Sequence, residues 1–199
     1  YIGSKDTFTE DIYVMNEDNK IVKKQIEYTP GLYKIIDEII VNCRDHHIRD
    51  KTCNVIKVSI SEDYKTITVY NNGNGIPVEM HKEQKMFIPE MIFGHLLTSS
   101  NYYEKGKIVG GKNGYGAKLT NIFSKKFIVE TFDKNNGKKY IQEFRDNMYT
   151  INPPDITEIK KSSKEPYTQI TFTPDFKRFN LDKLDDNMLA LIKKRVYDL

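Results

Sequence analysis

The chain has 199 residues, of which 38% are hydrophobic and 30% charged, so it holds enough apolar content for one core and predicts one domain. Its net charge of +3 is too small to predict a DNA-binding surface, and no apolar run has the length of a membrane span. Cys43 and Cys53 have neither metal-ligand spacing nor a disulfide framework, which excludes a zinc module and favours a reducing, intracellular setting. We see no signal peptide, and the missing initiator methionine leads us to expect that the sequence begins inside a longer chain.

A β-hairpin and a helix come first in chain order. Residues 11–15 and 21–28 alternate like strands around a polar turn, so residues 1–28 form a predicted hairpin region. Pro30 and Gly31 break the chain before a helical pattern over residues 32–46.

Polar residues of this first helix share one stripe. Glu38, Asn42 and Asp45 are spaced i, i+4 and i+7, which places them within about 60° of one another around the helix. Such a stripe is typical of a solvated helix face, and it is equally suited to a site that combines a carboxylate with an amide.

The second predicted hairpin ends in a glycine turn. Residues 55–61 and 65–70 pair across a polar connection, and the second strand runs into Asn71-Asn72-Gly73-Asn74-Gly75-Ile76-Pro77. Taken alone, this segment also fits an ordinary exit from a strand into a loop.

The most informative segment spans residues 110–118, GGKNGYGAK, immediately before another helical pattern. Its glycines allow main-chain N–H groups to approach an anion, which predicts a phosphate cradle. Residues 102–126 carry a charge of +5 while the rest of the chain carries −2, so basic charge is concentrated here. The spacing fits neither a Walker loop nor a dinucleotide fingerprint, so another nucleotide-binding architecture is needed.

The remaining predicted elements complete an α+β pattern. They are a helix over 88–97, a hairpin of residues 126–133 and 138–144, a mobile surface loop over 152–166, a strand over 168–173 and a helix within 182–199. Helices on one face of a mixed, mostly antiparallel sheet would make a two-layer α+β sandwich.

The order of these segments carries a family resemblance. EIIVNCRD (38–45), YNNGNGIPV (70–78), IFGHLLTSSNYY (92–103) and GGKNGYGAKLTNIFS (110–124) resemble the conserved boxes of the ATPase superfamily shared by gyrase, heat-shock chaperones, histidine kinases and mismatch-repair proteins. Within it, they are most similar to the ATPase domain of eukaryotic-type DNA topoisomerase II. The resemblance covers the whole chain and implies the Bergerat-type fold of an N-terminal ATP-binding subdomain over 1–199, with ATP and Mg²⁺ as ligands.

The resemblance also implies roles for individual residues. Glu38 would be the general base for the water that attacks the γ-phosphate, Asn42 would bind Mg²⁺, and Asn71 would accept a hydrogen bond from the adenine amino group, with Thr168 near the same edge. The other implied nucleotide contacts are Asp45, His46, Gly73, Gly75, Ile76, Ser99, Ser100, Asn101, Gly111, Lys112, Asn113, Gly114, Tyr115, Gly116, Ala117 and Lys118.

Two positions depart from the family pattern. His46 replaces an asparagine, and Lys112 replaces an arginine and so loses a bidentate phosphate contact. They leave open a degenerate module that holds nucleotide without hydrolysing it. A mismatch-repair or chaperone-type ATPase is the other alternative, and Asn71 together with GGKNGYGAK favours the topoisomerase.

The family further implies a homodimer, double-stranded DNA as partner of the full-length enzyme, no membrane association, and a nuclear location or, for a viral source, a viral factory or virion. We expect the chain to end before the second ATPase subdomain and therefore to bind ATP better than it hydrolyses it. The DNA-cleaving tyrosine would lie outside this chain.

Overall fold

The structure is a computed structural model that describes residues 5–95, 116–160 and 163–199. Two β-sheets and a layer of helices make up the described residues. The strands are β1 (Phe8–Met15), β2 (Ile21–Tyr28), β3 (Ile56–Ile60), β4 (Ile67–Asn72), β5 (Ser124–Asp133), β6 (Lys138–Arg145), β7 (Thr150–Ile151), β8 (Asp155–Glu158) and β9 (Tyr167–Pro174); the helices are α1 (Pro30–Arg49), α2 (Ile88–Gly94), α3 (Gly116–Ile122) and α4 (Asp186–Tyr197), with a 3₁₀ helix at Phe176–Phe179.

The larger sheet has the strand order β3-β4-β9-β5-β6-β7, and β8 also pairs with β6. Every pairing between its described strands is antiparallel. The predicted hairpins β3–β4 and β5–β6 are therefore confirmed, and the first predicted hairpin is seen as the antiparallel pair β1–β2. Gly137 closes the β5–β6 connection at φ +62°, a conformation that glycine adopts without steric cost.

Helices α1, α2 and α3 cover one face of this sheet. Leu32, Ile35, Ile36 and Ile39 recur with helical spacing along α1 and are at most 1% exposed, since this stripe packs on the sheet. The sheet contributes alternate residues from β4, β5 and β9, namely Ile67, Val69, Phe127, Val129, Ile170 and Phe172. The predicted two-layer α+β sandwich is confirmed.

The N-terminal hairpin β1–β2 forms a second sheet and packs against α4 through Val14, Ile26 and Leu191. An ion pair between Arg195 Nε and Asp37 Oδ1 at 2.7 Å joins α4 to α1. The last helix begins at Asp186 because the Asp185 carboxylate caps it by accepting from the Met188 N–H at 2.8 Å.

The loop prediction for residues 152–166 is wrong in part. Strand β8 lies within it and pairs with β6, with Ile156 opposite Tyr140. Pro153 and Pro154 lack N–H donors, so they interrupt the pairing with β6 between β7 and β8. Helix α2 corresponds to the predicted helix over 88–97. Residues 96 and 97 of that prediction lie outside the described ranges. In the parts of the chain that the structure describes, no helix is long and apolar enough to cross a bilayer.

Candidate nucleotide site

A row of polar side chains crosses the helix-facing side of the larger sheet. Strand alternation points Ile67, Val69 and Asn71 of β4 the same way, so Asn71 follows two core residues and is only 5% exposed. The antiparallel register then sets Asn71 opposite Thr168, and Thr168 opposite Thr131 of β5. Asn71, Thr168 and Thr131 therefore form one continuous row, which we call the base end of the site.

Thr131 makes several of the hydrogen bonds in this row. Its hydroxyl donates to the Tyr167 carbonyl at 3.0 Å, and the same oxygen lies 2.9 Å from Thr168 Oγ1 and 3.0 Å from the Ile76 N–H. Thr131 accepts from Ile76, and its hydroxyl and that of Thr168 are hydrogen-bonded to each other, with either oxygen able to donate. The Thr168 oxygen also lines the cavity, where it can accept a hydrogen bond.

The turn after β4 requires glycine at two positions. Gly73 has φ +94°, and a Cβ there would lie 2.7 Å from the Cβ of Cys53. A Cβ on Gly75 would lie 2.1 Å from the Phe132 carbonyl oxygen. These approaches allow the turn to lie against β5, where Ile76 bonds to Thr131.

A cavity of about 290 Å³ opens between this turn, the base end and α1. Its walls combine apolar side chains with a few amide, hydroxyl and ionisable groups, as in most small-molecule sites. The residues that line it are Ile39, Asn42, Cys43, His46, Arg49, Asp50, Val69, Asn71, Asn74, Gly75, Ile76, Pro77, Ile92, Phe93, Thr168 and Ile170.

Asp50, just after α1, ties the helix to the glycine turn. Its carboxylate accepts from the Asn74 N–H at 2.7 Å, and from the N–H and hydroxyl of Thr52 at 2.9 and 2.6 Å. Burial raises the pKa of Asp50, but the hydrogen bonds from Thr52 and Asn74 outweigh it and hold that pKa below its usual range. Asp50 therefore stays ionised and keeps the cavity wall in place.

His46 faces the same carboxylate. Its Nε2 lies 3.4 Å from Asp50 Oδ2 but outside hydrogen-bonding geometry, and this nitrogen is buried without a hydrogen-bond partner among the described residues. Burial lowers the pKa of His46, and the charge of Asp50 offsets this only in part. The cavity thus contains a ring nitrogen available to a ligand.

Glu38 lies one helical turn before Asn42, at the junction of α1 with α3. Its Oε1 accepts a hydrogen bond from Lys34 Nζ at 2.6 Å. Its Oε2 lies so close to Gly116 that a Cβ added to this glycine would be only 1.8 Å from it. Glu38 is therefore held between a lysine of its own helix and the first residue of α3. We call Glu38, Lys34 and Gly116 the helix junction.

The predicted site residues fall into three groups. The cavity brings together Asn42, His46, Asn71, Gly75, Ile76 and Thr168. Glu38, Asp45, Gly73, Gly116, Ala117 and Lys118 do not line it, and Lys118 is buried in α3 at 1% exposure. Ser99, Ser100, Asn101, Gly111, Lys112, Asn113, Gly114 and Tyr115 lie outside the described residues.

Three organising residues were missed by sequence reasoning. Thr131 and Asp50 hold the glycine turn, and Cys43 contacts Asn71. The sequence signal for Thr131 was the alternation Phe127, Val129, Thr131 along β5. This alternation places the Thr131 hydroxyl on the same side of the strand as the two core residues before it.

Metal binding at this site would need few protein ligands. Among the described residues there is no group of three or more His, Cys, Asp or Glu side chains that could hold an ion. Asn42 presents a neutral amide to the cavity, and its side chain makes no hydrogen bond within the described ranges. A hard oxygen of this kind fits Mg²⁺, which takes most of its ligands from water and phosphate.

A partly apolar cavity with acceptors at one end and the Asp50 carboxylate in its wall fits a nucleotide-binding class of protein. Comparison with known proteins agrees: the chain belongs to the histidine kinase-, DNA gyrase B- and HSP90-like ATPase family, whose family model matches residues 27–178.

The individual relatives are DNA topoisomerase 2 proteins, which confirms the resemblance drawn from the sequence. The chain is 55% identical over its whole length to DNA topoisomerase 2 of Acanthamoeba polyphaga mimivirus and 50% identical to that of Pisum sativum. It superposes on the crystallised ATPase region of Saccharomyces cerevisiae topoisomerase II with a TM-score of 0.90 at 48% identity, covering 100% of this chain and 52% of that one. It spans 16% and 14% of the mimivirus and pea proteins.

Proposed function

We propose that the chain is the ATP-binding part of a type II DNA topoisomerase. The observation that carries this proposal is the base end, where Asn71 and Thr168 offer acceptors in register at the floor of a cavity whose other wall holds Asn42 and His46. An adenine presents an amino group that needs acceptors, and the apolar walls from Ile39, Ile92 and Ile170 suit the faces of its ring.

At the helix junction we assign Glu38 as the general base. A carboxylate suits this task because the attacking water must lose a proton as the bond to the leaving phosphate breaks. Lys34 holds one carboxylate oxygen, and the second oxygen, beside Gly116, is the one we assign to the water. Lys118, though buried in α3, and residues 99–101 and 111–115 remain part of the proposed phosphate contacts.

We assign Asn42 as the single protein ligand of Mg²⁺. The ion, when bound, would neutralise charge on the triphosphate oxygens during transfer. Asn42 lies one turn from Glu38 on α1, so the helix spacing fixes the separation between the metal ligand and the base.

The whole protein would use ATP-driven dimer closure to pass one DNA duplex through another. This part of the proposal rests on the similarity to DNA topoisomerase 2 over the complete chain. It implies a homodimer, double-stranded DNA as partner, and work in the nucleus or, by the similarity to the mimivirus protein, in a viral factory or virion.

Titration calorimetry with a non-hydrolysable ATP analogue tests the proposal. The wild-type chain should bind in the presence of Mg²⁺. Asn71→Ala should lower the affinity about tenfold with or without Mg²⁺, since it removes a contact to the base. Asn42→Ala should lower it by a similar factor only when Mg²⁺ is present.

Asn187→Ala serves as the matched control, because its side chain donates to the Glu27 carbonyl at 3.0 Å and neither residue lines the cavity. It should bind like wild type. A wild-type chain without affinity for the analogue, or Asn42 and Asn71 variants that both bind normally, would refute the proposed site.

A further inference from the structure

The orientation of the Asn71 side-chain amide is fixed by its neighbours. Cys43 Sγ donates to Asn71 Oδ1 at 3.4 Å, and Asn71 Nδ2 donates to the Asn72 carbonyl at 2.9 Å. Cys43 and Asn71 are each 5% exposed, so water does not compete freely for either contact. The carbonyl of the amide is therefore on the side of Cys43 and the cavity.

This orientation matters because an amide, unlike a carboxylate, has two different ends. Turned over, Asn71 would present an NH₂ group where it now presents an oxygen. The turned amide would lose the S–H···O bond from Cys43 and would set two acceptors against each other at the Asn72 carbonyl. The observed orientation satisfies both contacts.

The Cys43 thiol is well suited to act as the donor. An amide oxygen has no proton to give, so in this contact the Cys43 S–H donates and Asn71 Oδ1 accepts.

Thr168 supports the same conclusion independently. Its hydroxyl is hydrogen-bonded to that of Thr131 at 2.9 Å and lines the cavity, so its oxygen can accept there as well. The base end therefore offers two acceptors side by side. A ligand edge with an amino group complements it, whereas an edge with a carbonyl oxygen meets acceptors.

We infer that Cys43 is a specificity-determining positioning residue, which holds the Asn71 amide so that the site selects 6-aminopurine over 6-oxopurine nucleotides. The inference rests on the proposed function, since it takes the cavity to be the purine pocket. It assigns Cys43 a role that a small core residue of equal volume would not fill.

The test compares imido analogues of ATP and ITP, which differ at position 6 of the purine, by titration calorimetry on the chain. Wild type should prefer the ATP analogue by at least about tenfold, because an oxo group leaves the acceptors unpaired. Cys43→Ala should reduce that ratio about threefold to tenfold, mainly by a gain in affinity for the ITP analogue. Cys43→Ser keeps a donor at this position and should keep the ratio.

Two further variants separate positioning from packing. Cys43→Val has no donor but fills the space of the thiol, so it should reduce the ratio of the two affinities as Cys43→Ala does. It provides the same test if the alanine variant folds poorly. Ile39→Val trims the cavity wall one turn earlier on α1 and should change both affinities by the same factor.

The role of Cys43 and the proposed nucleotide site can fail separately. A wild type that binds both analogues equally, or donor-less Cys43 variants that keep the wild-type ratio, would overturn the role of Cys43 while leaving nucleotide binding intact. A wild type that binds neither analogue would overturn the proposed function, and the inference with it.

Discussion

The base end and the helix junction both use a glycine to bring the main chain against an oxygen, but the oxygens differ in kind. At the base end, Gly75 faces the Phe132 carbonyl, which belongs to a strand in the middle of the sheet. At the helix junction, Gly116 faces the Glu38 carboxylate, the end of a flexible side chain. The first glycine therefore serves the fold, and the second serves the position of the proposed general base.

The two ends also differ in what holds them. Thr131 is fully buried and its contacts are set by strand register, so the base end is as rigid as the sheet. Lys34 holds Glu38 through an ion pair whose lysine is 42% exposed, and such pairs contribute at most about 1 kcal/mol. Recognition is thus built into the core, while the proposed chemistry lies where small movements cost little.

Replacing Gly75 should have the largest effect on stability. In Gly75→Ala the new methyl would lie 2.1 Å from the Phe132 carbonyl oxygen, and neither backbone can yield without disturbing β5. We expect a loss of about 3 kcal/mol in the free energy of unfolding, measured by urea denaturation, and loss of analogue binding.

Gly137→Ala is the control for this change. It lies in the β5–β6 turn at φ +62°, and its Cβ would be 3.2 Å from the Ile159 carbonyl oxygen. It should cost about 1 kcal/mol and leave analogue affinity unchanged. Equal costs for the two variants would mean that the close approach at Gly75 does not support the site.

Gly116→Ala should separate stability from chemistry. The Glu38 carboxylate can rotate away from a new methyl, so we expect the free energy of unfolding to change by no more than about 1 kcal/mol and the analogue to bind within about threefold of wild type. Phosphate release, however slow in the wild-type chain, should fall at least about tenfold, because a displaced base no longer meets its water.

Glu38→Gln provides the reference for that experiment. It keeps the shape of the side chain and removes the base, so it should bind the analogue and lose phosphate release by about 100-fold or more. If Gly116→Ala hydrolyses ATP like wild type while Glu38→Gln does not, Glu38 acts without the constraint that Gly116 supplies.

Two polar residues of the cavity, Asn42 and Asn71, were predictable from the sequence. Helical spacing placed Asn42 on a stripe of α1, and strand alternation ending in Asn71 placed an amide at the end of a core column. Both signals depend only on local periodicity, and the cavity brings both residues together.

Contacts between distant segments escaped the sequence. The bond from Ile76 to Thr131 joins residues 55 positions apart, and the contact from Cys43 to Asn71 joins residues 28 apart. Such contacts depend on strand order and register, which periodicity leaves open. The same reason explains β8, whose pairing with β6 made a strand of residues expected to form a loop.

The protonation of His46 decides whether the cavity wall that α1 contributes is neutral. Burial and the charge of Arg49 lower its pKa while Asp50 opposes them, so the folded chain binds this proton less readily than the unfolded chain does. The stability that neutral His46 contributes is complete above the ordinary histidine pKa of about 6.5 and is lost as pH falls through that value toward the folded one. Urea denaturation between about pH 8 and pH 5 should therefore show wild type losing stability relative to His46→Asn. An NMR titration of the His46 ring provides the direct check: a midpoint at or above that of the urea-unfolded chain would mean that the proton is favoured in the folded state, and that the wall carries positive charge before any phosphate arrives.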